Sequence, residues 1–284
     1  MAEAARIRAA FLAACALDVA ALKPGNVHRY ADGHGMRAAD FIASAEAAAP
    51  ALCRGGAALG RRLLDAVTAT RAAAGCNTNL GILLACAPLA MAAEAPATTP
   101  FARGVAAALR GLDAEDAELV YRAIALADPG GLGEAGEHDV RRPPRIGLVA
   151  AMRIAAPRDR IARLYAEDFA DLFDTALPLL RARLAGGDGM EAATTMLYLA
   201  LLARWPDSHL VRKFGDSAAQ SVTREAADLL ARLDDAGAAP ARHGLLLDWD
   251  KSLKERGFNP GTSADLTVAT LFAHGLTRDE ARLA

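Results

Sequence analysis

Aromatic residues are scarce in this chain, 5% of 284 residues, although 53% of its residues are hydrophobic. Alanine supplies much of the apolar content and branched residues are sparse, a mix that favours helices over strands. An excess of one charge is also missing. With 32 basic and 34 acidic residues the formal net charge is -2, so there is no global basic field of the kind that holds a protein on nucleic acid or an anionic membrane. No nucleic-acid partner is expected. Cysteine is limited to Cys15, Cys53, Cys76 and Cys86, without CxxC spacing or the density of a disulfide scaffold. Reduced, packed thiols and a cytoplasmic setting are expected.

Long apolar runs are missing as well. The most hydrophobic stretch, Leu80 to Ala93, falls short of the roughly 20 residues a membrane span needs, and Pro88 interrupts it. It reads as a buried helix at the centre of the fold, and no membrane partner is expected. The N-terminal apolar run is broken by Asp18 and lacks the polar cleavage region of a signal peptide, so an amphipathic helix is expected there. No β-branched alternation and no βαβ rhythm with a Gly-rich turn appear, which argues against a doubly wound sheet.

What is present is a succession of helical segments. The pattern predicts helices over 3–22, 38–49, 51–73, 78–94, 101–111, 114–127, 146–155, 158–185, 189–204, 216–236 and 262–274. Asp188 with Glu191, Thr262 with Asp265 and Thr277 with Glu280 have capping-box spacing. The expected fold is all-α, a single-domain multi-helix bundle over 1–284. The irregular stretch from Ala127 to Arg145 is read as a functional loop within that domain.

Four polar segments break the alanine-leucine background at helix boundaries: KPGNVHR (Lys23 to Arg29), GCNTNLG (Gly75 to Gly81), DSHLVRKFG (Asp207 to Gly215) and NPGTSADL (Asn259 to Leu266). Amides left unpaired at a helix start or in a glycine turn form ready anion sites. Lys23, Asn26, His28 and Arg29 could converge on a polyphosphate, or could be a helix stop with solvated charges. Asn77, Thr78 and Asn79 open the most apolar helix, as caps or as ligand-facing groups. Asp207, His209, Arg212 and Lys213 put an acid, an imidazole and two cations within two turns, with Asp207 equally suited to capping. Asn259, Ser263 and Asp265 could hold Mg²⁺ on phosphates, or Asp265 could reach back as a cap. The loop adds Glu134, Glu137, His138 and Asp139 as a candidate lid. Zinc is disfavoured because no HxxxH or HExxH spacing occurs.

In this order KPGNVHR, GCNTNLG, PGGLGEAGEHDV, DSHLVRKFG and NPGTSADL resemble the ATP:dephospho-coenzyme A triphosphoribosyltransferase family, the CitG/MdcB-like proteins, from about residue 10 to residue 275. The resemblance implies an all-α transferase that joins the ribose C1 of ATP to the 2'-hydroxyl of dephospho-CoA and releases adenine. It implies ATP and dephospho-CoA as small-molecule partners, with Mg²⁺ alongside ATP, and it leaves room for a homo-oligomer. Glu134, Asp207 and Asp265 are then the candidate catalytic carboxylates, with Asp207 and Asp265 as metal ligands. Lys23, Arg29, Arg212 and Lys213 would face the triphosphate, and Asn26, His28, Asn77, Asn79, His209, Asn259 and Ser263 would complete the binding set. Lyase-activating members tend to read KPGLVD, and NTH followed by a basic residue, where this chain has Asn26, His28, Asn79 and Leu80. Those departures bear on the acceptor, the metal arrangement or the fate of the triphosphate. Alternative readings are a divergent member with another acceptor, for instance in one-carbon cofactor biosynthesis, a non-catalytic nucleotide-binding protein, or an ADP-ribosylglycohydrolase-like hydrolase.

Overall fold

The structure, a computed structural model, describes residues 2–96, 98–130, 138–235 and 239–277. Those residues form fourteen α-helices, one π-helical segment and two isolated β-bridges, with no strand among them. The all-α expectation holds. Most predicted helices appear near their predicted bounds: α1 (Ala2–Ala20), α2 (Ala38–Leu52), α3 (Leu59–Ala74), α4 (Leu80–Ala92), α5 (Phe101–Arg110), α6 (Ala114–Ala127) and α7 (Leu148–Ala155). After α8 (Arg160–Ala166) come α9 (Leu177–Ala185), α10 (Met190–Arg204), α11 (Ser208–Phe214), α12 (Asp216–Asp235), α13 (Ala239–Glu255) and α14 (Gly261–Leu276).

Helix α4 is the buried central helix its composition predicts, and all of its residues except Gly81 and Met91 are buried. It packs against α14, which also contacts α1, α9 and α10. Around this pair lies the larger core, with Phe11 of α1 edge-on to Phe272 of α14 at 5.9 Å between ring centroids. A smaller core joins α10 to α13, and Ala264 at the start of α14 belongs to it. The beginning of α14 is thereby fixed from two sides.

Local chemistry explains several boundaries. Asp113 and Asp116 form a true capping box at α6, and Asp116 also accepts the Gly60 amide at 2.7 Å, tying α3 to α6. Of the three boxes anticipated elsewhere, the two that fall on described residues do not form. Asp188 instead pairs with Arg183 at 2.6 Å, and α10 starts from Gly189. Thr262 and Asp265 lie inside α14, whose first turn starts one residue after Pro260. Thr277 follows the end of α14, donates to the Ala273 carbonyl and accepts from Arg181; Glu280 lies outside the described residues.

Pro50 does not end a helix: α2 runs through it to Leu52, and the real break is the 54–58 turn, where Gly56 takes a positive φ of 70°. The predicted long helix over 158–185 divides into α8, the π-helical segment Asp171–Ala176 and α9. Asp168 and Phe169 carry positive φ values, and Pro178, which lacks an amide for the helical ladder, follows the π turn. Helices α11 and α13 were not anticipated. Helix α13 is rich in charge, yet buries Leu246, Asp250 and Leu253. No described helix is long and apolar enough to cross a membrane.

Candidate active site

Parts of the chain remote in sequence meet at one cavity of about 770 Å³. Its polar end is lined by the end of α1, the turn after it, the starts of α4 and α14, and α11. The α4 and α14 starts meet closely, because Gly81 has no side chain. A β-carbon there would lie 2.0 Å from Asp265 Oδ2. Two helix N-termini therefore open on the same space, an arrangement whose dipoles favour anions even though the Leu80 and Ser263 amides already have side-chain partners.

The KPG turn is held from behind. Lys23 is fully buried, with Nζ 3.1 Å from Asp18 Oδ1, 3.1 Å from the Val27 carbonyl and in contact with Asn26 Oδ1. Asn26 passes the chain on, donating from Nδ2 to Asn259 Oδ1 at 2.8 Å. This links the first and last polar segments, 233 residues apart. Burial pushes the Asp18 carboxyl up and the Lys23 ammonium down, and their mutual attraction opposes both shifts. Gly25 needs its φ of 81° and has no room for a side chain beside Leu253 and Pro260.

Asp250 of α13 is the second support. Its Oδ1 accepts the Gly25 amide at 2.8 Å and lies 3.2 Å from His28 Nε2, and Lys254 reaches Oδ2 at 3.0 Å. Against the upward push of burial, these hydrogen bonds hold the Asp250 carboxyl below its ordinary range. Burial lowers His28, whose Nδ1 accepts the Tyr30 amide at 3.3 Å while Nε2 faces the carboxylate, the pattern of a neutral imidazole. Lys23 and His28 thus shape the turn and do not line the cavity.

Asp207 has a different place from the one its sequence context suggested. Its Oδ1 accepts the His209 and Leu210 amides, capping α11, while Oδ2 accepts both the amide and the hydroxyl of Ser263, at 2.7 and 2.8 Å. It is 1% exposed and absent from the cavity wall. With four hydrogen bonds its lone pairs are occupied, so it clamps α11 to α14 and is corrected from base and metal ligand to structural tie. Ser263 is the other half of that clamp. Arg29 is also misplaced by the sequence reading: it lies on the surface, 48% exposed, paired with Glu191 at 2.5 Å.

Asn26, Asn77, Asn79, His209, Arg212, Lys213, Asn259 and Asp265 do converge on the cavity. Asn77 accepts the Leu80 amide at 3.1 Å, so it caps α4 as well as lining the wall. Asn79 accepts from Thr70 at 3.1 Å, and its buried Nδ2 has no partner among the described residues. Thr78 bonds Ser44 at 2.6 Å behind it. Arg212 is oriented by Asp159 at 2.7 Å, and burial with the nearby Lys213 and Arg212 charges lowers His209 to about 4. Asp265 makes no hydrogen bond or ion pair among the described residues. Loss of water and the neighbouring Asp18 and Asp207 charges push its carboxyl well above the ordinary range.

Sequence reading missed Asp18, Asp159, Arg71 and Arg158, all on the cavity wall. Asp18 had left a signal, as the one charge interrupting the apolar run 9–22. Arg71 and Arg158 have no side-chain partner among the described residues and complete a ring of cations with Arg212 and Lys213. His138 also lines the cavity, and Asp139 beside it pairs with Arg141 at 3.3 Å. Glu134 and Glu137 lie outside the described residues.

This polar, cation-rimmed site with the unpaired Asp265 carboxyl at the meeting of two helix starts agrees with what comparison with known proteins shows. The profile of the family described as CitG, ATP:dephospho-CoA triphosphoribosyl transferase, matches residues 4–283. The chain belongs to that family. Its reaction is therefore triphosphoribosyl transfer from ATP to dephospho-CoA, and the chain is an enzyme. Among solved structures it is similar to a proposed triphosphoribosyl-dephospho-CoA synthase from Archaeoglobus fulgidus, with 27% identity and a TM-score of 0.63, covering 82% of this chain and 97% of that one. No curated protein matches it.

Proposed function

We infer that this family member carries out transfer in the 770 Å³ cavity, with Asp265 as the group that receives the acceptor's proton. The observation that carries this assignment is the Asp265 carboxyl itself: it faces the cavity at the meeting of two helix starts and has no partner among the described residues.

The chemistry has three demands. The bond from the ribose C1 of ATP to N9 of adenine breaks with its electron pair going to adenine. The acceptor 2'-oxygen bonds to C1 and loses its proton, and adenine leaves carrying one proton, so the balance closes. Positive charge grows on the ribose as the old bond lengthens, and a nearby carboxylate stabilises it. Asp18, whose ionised form Lys23 favours against the upward push of burial, is the carboxyl placed for that role. Asp265 takes the hydroxyl proton. Arg71, Arg212 and Lys213, with the positive ends of α4 and α14, bind the triphosphate. Asn26, Asn79 and Asn259 supply neutral hydrogen bonds to ribose and base.

Magnesium fits as an ion carried on ATP. No group of three or more His, Cys, Asp or Glu ligands exists among the described residues, and Mg²⁺ on nucleotides commonly needs only one or two carboxylates beside the phosphates. Asp207 has no lone pair to give and Asp265 serves as the base, so the ion would be held by the phosphates and water. The bound ion would neutralise triphosphate charge. Four free thiols suit a cytoplasmic setting.

The test is incubation of the protein with ATP, Mg²⁺ and dephospho-CoA, followed by mass spectrometry. Free adenine and a product heavier by a triphosphoribosyl group are expected. Adenine with free triphosphoribose as the only other product would make the enzyme a hydrolase instead.

A further inference from the structure

Opposite the polar end, the cavity has a wall that phosphate and ribose chemistry does not use. It is built by α6 and α7, which pack on each other, and by the start of α8. Leu148, Ala151, Met152 and Ala155 recur at helical spacing along α7 and face Ile124 of α6 across the space. Ile154, at the cavity edge, is 46% exposed. One polar group interrupts the surface. Tyr121 is 5% exposed and lines the cavity, and its hydroxyl has no partner among the described residues. The hydroxyl of this otherwise buried ring opens on the cavity, so it is placed for a ligand.

The wall has a direction. Helix α7 is eight residues long and rises about 12 Å. Just beyond its end stands Arg158, exposed and without a side-chain partner among the described residues. Asp159 follows, with its carboxylate on Arg212 of the polar end. Along 148–159 the surface therefore passes from apolar, to one unpaired cation, to the place where the acceptor ribose must meet ATP. Resting on the transfer reaction above, the geometry points to this wall as the seat of the acceptor's pantetheine arm. The geminal methyls and methylenes lie on α7, an arm amide bonds Tyr121, and the diphosphate pairs with Arg158. ATP has no uncharged chain to offer such a surface. The order of the acceptor's parts, arm then diphosphate then ribose, matches the order of the wall.

Calorimetric titration of the full chain with dephospho-CoA and with ADP, which keeps the 2'-hydroxyl and a diphosphate but lacks the arm, tests the assignment. Wild type should bind dephospho-CoA at least tenfold more tightly than ADP. Ile154→Asp, an exposed position where folding is not at stake, should weaken dephospho-CoA at least tenfold and leave ADP within twofold. Tyr121→Phe should weaken dephospho-CoA alone, by about fivefold, the worth of one hydrogen bond. Equal losses for both ligands would mean that the wall holds an adenine ring, and no loss for either would mean that it holds nothing; each outcome overturns the arm assignment. Adenine release measured on the same samples separates the two readings. Selective binding without transfer sinks the reaction site alone, and transfer without selectivity sinks the arm site alone.

Discussion

Gly81 and Asp265 are in van der Waals contact across the starts of two central helices, and a single β-carbon at 81 would stand 2.0 Å from the carboxylate. The Asp265 carboxyl is therefore positioned by an absence of side chain on α4. Alanine is favoured over glycine inside helices by roughly 0.5–1 kcal/mol, so Gly81→Ala should cost little in unfolding free energy. It must still push Asp265 aside. Misplacement by about 1 Å can cost on the order of 100-fold in rate, and a fall of that size in kcat with a melting temperature near wild type is the expected result. A variant with wild-type kcat would show that Asp265 need not sit where it does.

Asp265 should also display a conflict between stability and activity. Its carboxyl holds a proton more tightly in the folded chain than in the unfolded one, so folding loses stability as pH rises from the unfolded value of 3.8 through the raised folded value. At neutral pH the carboxyl is a liability, and Asp265→Asn removes it. The variant should melt roughly 2 °C or more above wild type at pH 7, with the gap closing toward pH 4, while adenine release falls about 100-fold or more. Differential scanning calorimetry at the two pH values and an adenine assay check both halves. Lower stability at pH 7 would show that the carboxylate has a partner in solution.

The architecture was legible because helix-favouring composition is local. Alanine-rich segments became helices, and the apolar stretch after Asn79 became the buried helix α4. What local reading lacked was depth. Lys23, His28, Asp207 and Ser263 occur in the same polar segments as the cavity residues, and nothing in their spacing tells that they stand behind the wall. Asp207 deceived most: an acid before an imidazole and two cations looks catalytic, and only the long-range bonds to Ser263 reveal a clamp. Helix α13 was missed because its charges mask a short apolar face, and with it went Asp250, the support of the KPG turn. The apolar wall on α7 was invisible for the opposite reason, since apolar residues at helical spacing read as ordinary core.

The buried pair beneath the KPG turn gives a third expectation. Removing one partner of a buried ion pair strands the other, at about 3–5 kcal/mol. Lys23→Met should therefore destabilise the chain by that amount in urea denaturation, and Asp18→Asn with Lys23→Met should recover part of it. Activity should not follow: the double variant lacks the anion assigned to the ribose, so it should stay near background however stable it becomes. Recovery of both together would reduce Asp18 to a structural role.

His209 supplies a pH test whose sign differs from the usual histidine switch. Burial and the Lys213 and Arg212 charges lower it to about 4, whereas the unfolded chain titrates near 6.5. The unfolded state thus takes up a proton first as pH falls, and the stability that His209 contributes as a neutral ring is present above 6.5 and drains away between 6.5 and 4. Screening reduces the full effect to roughly 2 to 3 kcal/mol. His209→Gln keeps a neutral hydrogen-bonding side chain, so its unfolding free energy should fall less steeply than wild type across that window and match it above pH 7. Above pH 5 the ring is already neutral in the native enzyme, so no step in kcat near 6.5 should vanish in the variant. If one does, His209 is charged in the working enzyme and belongs with the cations that hold the triphosphate.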